Sequence, residues 1–157
     1  MRTSSTRIAI LAVAATSIGS VFATRAPQAE AASATKSATA KSAPKIAWRK
    51  SFASALAEAK RTKKPLLVDF NAVWCAPCKE LDQKTFSNAT VVTVSRNFIP
   101  VKVDVDQEPK IAARYGVRAL PTVAVLKANG AMSSQFLGFR DAAYAVNFLR
   151  NALKKAR

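Results

Sequence analysis

Cys75 and Cys78 are the two cysteines of the chain, and they stand two residues apart in Val73-Trp74-Cys75-Ala76-Pro77-Cys78-Lys79. The flanking residues constrain what such a pair can belong to. Ahead of it, Leu66-Leu67-Val68-Asp69-Phe70 is a short apolar run that reads as a buried strand. Behind it, Lys79-Glu80-Leu81-Asp82-Gln83-Lys84 is rich in helix formers. The pair therefore sits where a strand hands over to a helix. There the unpaired backbone N–H groups and the helix dipole favour an anion, which draws a cysteine pKa down from about 8.5 toward about 7 and favours the reactive thiolate. Cys78 lies about one turn further in, within reach of a disulfide and expected to be the more buried. On this reading Cys75 attacks and Cys78 resolves.

Other uses of two cysteines fare worse. A disulfide closing a two-residue loop removes little unfolded-state entropy, so stability is a poor motive. A zinc site needs about four ligands, and the chain has no histidine and no third cysteine. A Cu(I) site needs only soft thiolates, so a copper-delivering module remains the alternative. Met132 is the one methionine of the folded part, and a hairpin should place it away from the motif.

The chain divides into three parts. Residues 1–23 carry Arg2 and Arg7 and then an apolar run from Ile8 to about Phe22 that is diluted by Thr16, Ser17, Gly19 and Ser20. This reads as a secretory signal with a small-residue cleavage site at Val21-Phe22-Ala23, or a second at Ala29-Glu30-Ala31, and an uncleaved anchor is the competing reading. Residues 24–45 are Ala, Ser, Thr and Lys with Pro27 and Pro44 and have almost nothing to bury, so a flexible linker is expected. Residues 46–157 are long enough for one core. The expected location is periplasmic or otherwise extracytoplasmic.

Within the third part, a helix is expected from about Ser51 to Arg61, with Phe52, Ala53, Ala55, Leu56 and Ala59 on its apolar face and Trp48 anchoring it to the domain. A helical segment follows around Val91–Phe98, because alternation fails at Val91-Val92. Ile99 to Val105 alternates as a strand that carries Lys102 and Asp104 on one face. Pro109 opens a short helix that Gly116 closes. Thr122–Leu126 and Met132–Leu137 form a hairpin around Asn129-Gly130. Asp141 caps a last helix. The fold class is α/β, with a mixed sheet of four or five strands flanked by helices.

Asp69 needs explaining in an apolar strand. Burial of an ionised carboxylate is costly, so its pKa should rise and make it a proton acceptor or donor near neutral pH. An edge carboxylate paired with a lysine is the bland alternative. The formal charge of +16 divides into +5 before Ile46 and +11 after it. Its cations are scattered over all elements without interleaved aromatics, so nucleic acid is not the expected partner and attraction to anionic surfaces is.

Three separated segments in this order resemble the thioredoxin superfamily: Leu67 to Lys79 around the cysteines, Val101 to Gln107, and Arg114 to Thr122. The segment Phe52–Lys60 followed by Lys64-Pro65 resembles, more loosely, the C-terminal reductase domain of exported thiol:disulfide interchange proteins. The resemblance covers about residues 46–155 and implies a thioredoxin-like fold and a protein-disulfide oxidoreductase. It implies that Asp69 is the buried acid that deprotonates Cys78, with Lys102 near it to tune its pKa. It implies that Pro121 is cis and faces the disulfide, and that Trp74, Ala76, Pro77, Leu120 and Pro121 border the substrate groove. It further implies no cofactor beyond the Cys75–Cys78 pair, protein disulfides as substrates and an upstream thiol as electron donor; a monomer is expected. Ala76-Pro77 replaces the commoner Gly-Pro and brings no histidine between the cysteines. That leans toward reduction, nearer about −270 than about −120 mV on the scale of known members.

Overall fold

The computed structural model describes residues 45–156. The leader and all of the expected linker except Lys45 lie outside the described residues. Helix α1 spans Phe52–Thr62. Ser51 starts it by accepting the Ser54 N–H at 3.3 Å, which satisfies one of the open donors of the first turn. Phe52, Ala55 and Ala59 are its buried residues, whereas Ala53 faces solvent, so the apolar stripe is narrower than the alanine content suggested. The helix ends at Lys63 in a left-handed conformation with φ 58°, and Pro65 leads into strand β1, Leu66–Asn71.

Helix α2, Ala76–Leu81, begins at the cysteines and runs on as a wider π-helical turn at Asp82–Phe86. Asn88 then opens α3, Ala89–Ser95, its side-chain oxygen accepting the Thr90 and Val91 N–H groups at 2.9 and 3.3 Å. Strand β2 is Ile99–Asp104 and α4 is Pro109–Arg114. Strands β3, Thr122–Leu126, and β4, Met132–Leu137, form the expected hairpin. Helix α5 is Ala142–Ala156, with the Asp141 carboxylate accepting the Tyr144 N–H at 2.8 Å.

The four strands lie in the order β2-β1-β3-β4, with β1 parallel to β2 and antiparallel to β3. Arg49 adds a single parallel bridge to Val101 at the β2 edge, the trace of a fifth strand. Because side chains alternate along a strand, β1 serves two cores at once. Leu66, Val68 and Phe70 join Ile99, Val101, Val103, Ala124 and Leu126 under α1 and α4. Leu67 joins Val123 and Val125 on the other face, with α3, α5 and the π-helical turn.

Trp48 belongs to that second face. It packs edge-on against Phe86 with ring centroids 5.0 Å apart, and does not anchor α1, whose Phe52 lies in the other cluster. The reason is the Arg49 bridge, which runs the entering chain along the β2 edge and turns the indole under the sheet.

Candidate active site

The two sulfurs are joined in a disulfide, with Cα atoms 5.3 Å apart, at the point where β1 ends and α2 begins. Cys75 is the N-cap residue of α2, and its sulfur accepts the Cys78 N–H at 3.2 Å. Ala76 and Pro77 take the first helical positions and are exposed; a proline is tolerated there because its missing N–H would have no partner in the first turn. Cys75 is 3% exposed and Cys78 5%, so the expectation that Cys78 would be the more buried does not hold. In the oxidised pair the S–S bond draws both side chains against the same small cluster, formed by Ala72 with the partly buried Val105 and Leu120.

The Leu120–Pro121 peptide bond is cis. Leu120 packs on the disulfide, and Pro121 is buried at the head of β3. Trp74 is 66% exposed and stays outside that cluster; its indole N–H donates to Asp106 Oδ2 at 2.7 Å, across the loop that follows β2. Neither Val105 nor Asp106 stood out as a site residue in the sequence. Both lie in the Val101–Gln107 segment, and only the parallel pairing of β1 with β2 carries that segment's end to the cysteines.

Asp69 is 2% exposed and paired in register with Lys102 across β1 and β2. The Lys102 ammonium lies 3.0 Å from Asp69 Oδ2, and Asn71 Nδ2 donates to the same oxygen at 3.3 Å. Asp69 Oδ1 has no hydrogen-bond partner within the protein. Asp69 is therefore neither the lone carboxylate nor the edge ion pair considered from sequence, but a buried acid on a central strand with half its hydrogen-bonding capacity met. Burial pushes its pKa above the ordinary value, and Lys102 offsets only part of that.

Lys102 is shared. Its ammonium donates to both oxygens of Asp82 at 2.6 and 2.7 Å, and it lies 5.3 Å from the Trp48 ring centroid. Burial lowers the Lys102 pKa, but the two carboxylates reverse this and raise it overall, so the side chain is charged at neutral pH. Asp82 escaped sequence reasoning because a helical acid amid lysines looks like a solvated face. Exposure grades along the trio, with side chains 3%, 28% and 44% exposed from Asp69 through Lys102 to Asp82. The trio thus runs from the buried carboxylate to a partly exposed one.

Residues 47–128, more than half of the chain, match the family model described as thioredoxin-like. The chain belongs to the thioredoxin-like family. Mycoplasma genitalium thioredoxin is 37% identical over 89 residues, which are 57% of this chain and 83% of that protein. Bovine mitochondrial thioredoxin is 35% identical over 89 residues, and the match spans only about half of its length, 52%. Among solved structures, the C-terminal domain of Neisseria meningitidis DsbD in the oxidised form superposes with a TM-score of 0.56 at 24% identity, covering 68% of this chain and 99% of that domain. That likeness shows a shared fold.

Among the described residues of this thioredoxin-like chain, no group of three or more histidines, cysteines or carboxylates is placed to hold a metal ion. Met132 pairs with Leu126, whose other neighbour is Leu66, so it lies at the opposite end of the sheet from the disulfide. No described helix is long and apolar enough to cross a membrane.

Proposed function

We propose that this chain is an exported thiol–disulfide oxidoreductase that reduces or exchanges disulfides in protein substrates. The carrying observation is the Cys75–Cys78 disulfide at the N-terminus of α2, bordered by the cis Leu120–Pro121 bond. Relatives named as thioredoxins support the chemistry, and residues 1–23 support export.

In the reducing direction the pair begins as two thiols. The Cys75 thiolate, favoured by the N–H groups of the first turn of α2, attacks one sulfur of the substrate disulfide and forms a mixed disulfide. The other substrate sulfur leaves as a thiolate and takes a proton. Asp69, ionised, accepts the Cys78 proton; the Cys78 thiolate then attacks Cys75 Sγ, closes the internal disulfide and releases the second substrate thiol. Two electrons pass to the substrate, and an upstream dithiol restores the pair. Lys102 and Asp82 set the charge around Asp69. Trp74, Ala76, Pro77, Leu120 and Pro121 form the rim against which a substrate chain lies. A monomer suffices, since every residue named comes from one chain.

Reduction of insulin disulfides by the reduced protein tests this reading. Activity is expected, and Cys75→Ser should abolish it. Cys78→Ser should accumulate mixed disulfides that mass spectrometry can identify. Undiminished reduction by Cys75→Ser would overturn the assignment.

A further inference from the structure

The cations of this domain are not evenly placed between its two ends. The end that carries the disulfide is mixed: Lys110, Arg114 and Arg118 share it with Asp104, Asp106 and Glu108 on the segment between β2 and β3. The other end, about 20 Å away along β1, is built from the C-termini of α1 and α5, the tail of α3 and the last residue of β3. There Lys60, Lys63 and Lys127 line one depression of about 340 Å³ with Ala128, Asn129 and Ala156, with no acidic side chain among the described residues that line it. A neighbouring depression of about 260 Å³ brings together Lys45, Lys64, Arg49 and Arg96; its one acid, Glu58, is already held by the Arg49 guanidinium through two contacts of 2.6 Å.

Helix dipoles account for some of this charge, since Lys60 lies in the last turn of α1 and Arg96 caps α3. They do not account for Lys64 and Lys127, which cap no helix. Lys63 is the C-cap of α1, so the dipole favours a cation there, yet its backbone disfavours any side chain. That residue is left-handed, with φ 58°, where glycine costs nothing and a side chain is strained. Lysines crowded around one depression also repel one another, an expense that a bound polyanion would reverse.

We infer that this basic end is a docking surface for anionic phospholipid headgroups, holding the domain against a bilayer with the disulfide turned away from it. A lipid surface fits better than an acidic protein because the charge is spread over the segment before α1, the ends of α1 and α3 and the turn after β3 as a broad face. The described chain also begins on this face, at Lys45. In the sequence ahead of it come Lys41 and Lys36, and further ahead the apolar run of residues 8–22. The proposal draws on the export reading for the source of the surface and is independent of the thiol chemistry.

The test is co-sedimentation of the full-length protein with phosphatidylglycerol-containing vesicles and with phosphatidylcholine vesicles at low and at physiological salt. Wild type should prefer the anionic vesicles by at least ~tenfold and weaken as salt rises, since each lysine at such a surface is worth about fivefold in binding. Lys60→Gln, Lys63→Gly, Lys64→Gln and Lys127→Gln combined should lose that preference. Lys110→Gln, Arg114→Gln and Arg118→Gln combined, at the other end, should keep it. Circular dichroism and insulin reduction by both variants check folding and test the thiol reading separately. Equal binding to the two lipids, no effect of the first variant, or an equal loss in the second would each overturn the proposal. So would salt-sensitive retention on heparin without any vesicle preference, which would make another polyanion the partner.

Discussion

Strand β1 shows two ways of using one sheet. On one face Val68 sits between Val101 and Ala124, and Phe70 lies beside Val103, all fully buried and apolar under α1 and α4. One residue along, Asp69 sits between Lys102 and Val123 on the other face, where a charged trio leads outward to Asp82. The first face gains free energy from every apolar side chain it buries, and β1 brings no ionisable group to it. The second gives up some of that gain to keep a carboxylate out of water. A fold can hold a proton acceptor at a raised pKa when the adjoining layer of the same strand supplies enough apolar burial to carry the cost.

Truncating the dry face should cost most. Phe70→Ala is expected to destabilise by about 3–5 kcal/mol through lost burial and the cavity left behind. Denaturant unfolding measures it, and insulin reduction by the fraction still folded should be little changed. A loss below about 1 kcal/mol would mean that the apolar layer does not carry the fold.

Asp69→Asn reverses both signs. Removing the proton acceptor should slow the resolution of mixed disulfides by about 100-fold, seen in stopped-flow reduction. Stability should be kept or raised, because Lys102 keeps Asp82 as its partner. The folded pKa of Asp69 is raised above the unfolded value. Wild type therefore loses stability as pH climbs from the unfolded pKa, about 3.9, to the folded one, and is level above it. The advantage of the variant should grow over that window and then hold. A variant that is less stable at neutral pH and as fast as wild type would make Asp69 a structural carboxylate.

Lys102→Met removes the shared cation and leaves Asp69 with less compensation. A loss of about 1–3 kcal/mol is expected at neutral pH, discounted from the fully buried case because the ammonium is partly exposed. The loss should shrink as pH falls through the raised folded pKa of Asp69, where the carboxylate takes up its proton; a pH-independent loss would mean that Lys102 acts through packing on Trp48 instead. The smallest effect is expected on the dry face, at the start of α1. Ser51→Ala removes the cap and should cost about 1 kcal/mol with no change in reduction rate, so a change in rate there would break the separation of the two faces.

What the sequence determined by itself is what local chemistry dictates. The strand–Cys75–helix junction, the alternation from Ile99 toward Val105, the start of α1 near Ser51, the hairpin at Asn129-Gly130 and the cap at Asp141 each follow from residues within a few positions of one another, though β2 ends one residue early, at Asp104. The tertiary structure decided what depends on pairs distant in the chain. Asp82 meets Lys102 across 20 positions and Trp74 meets Asp106 across 32, and neither separation has a period that a sequence pattern can reveal. Trp48 went to the other face from the one its neighbour α1 covers, because Arg49 bridges to the β2 edge. The two cysteines are buried alike because a covalent bond, and not helical position, sets where the second sulfur lies. The degree of Asp69 compensation was also invisible in the chain, since it depends on whether one ammonium group is shared between two carboxylates, and that is a matter of register between strands and the helix laid over them.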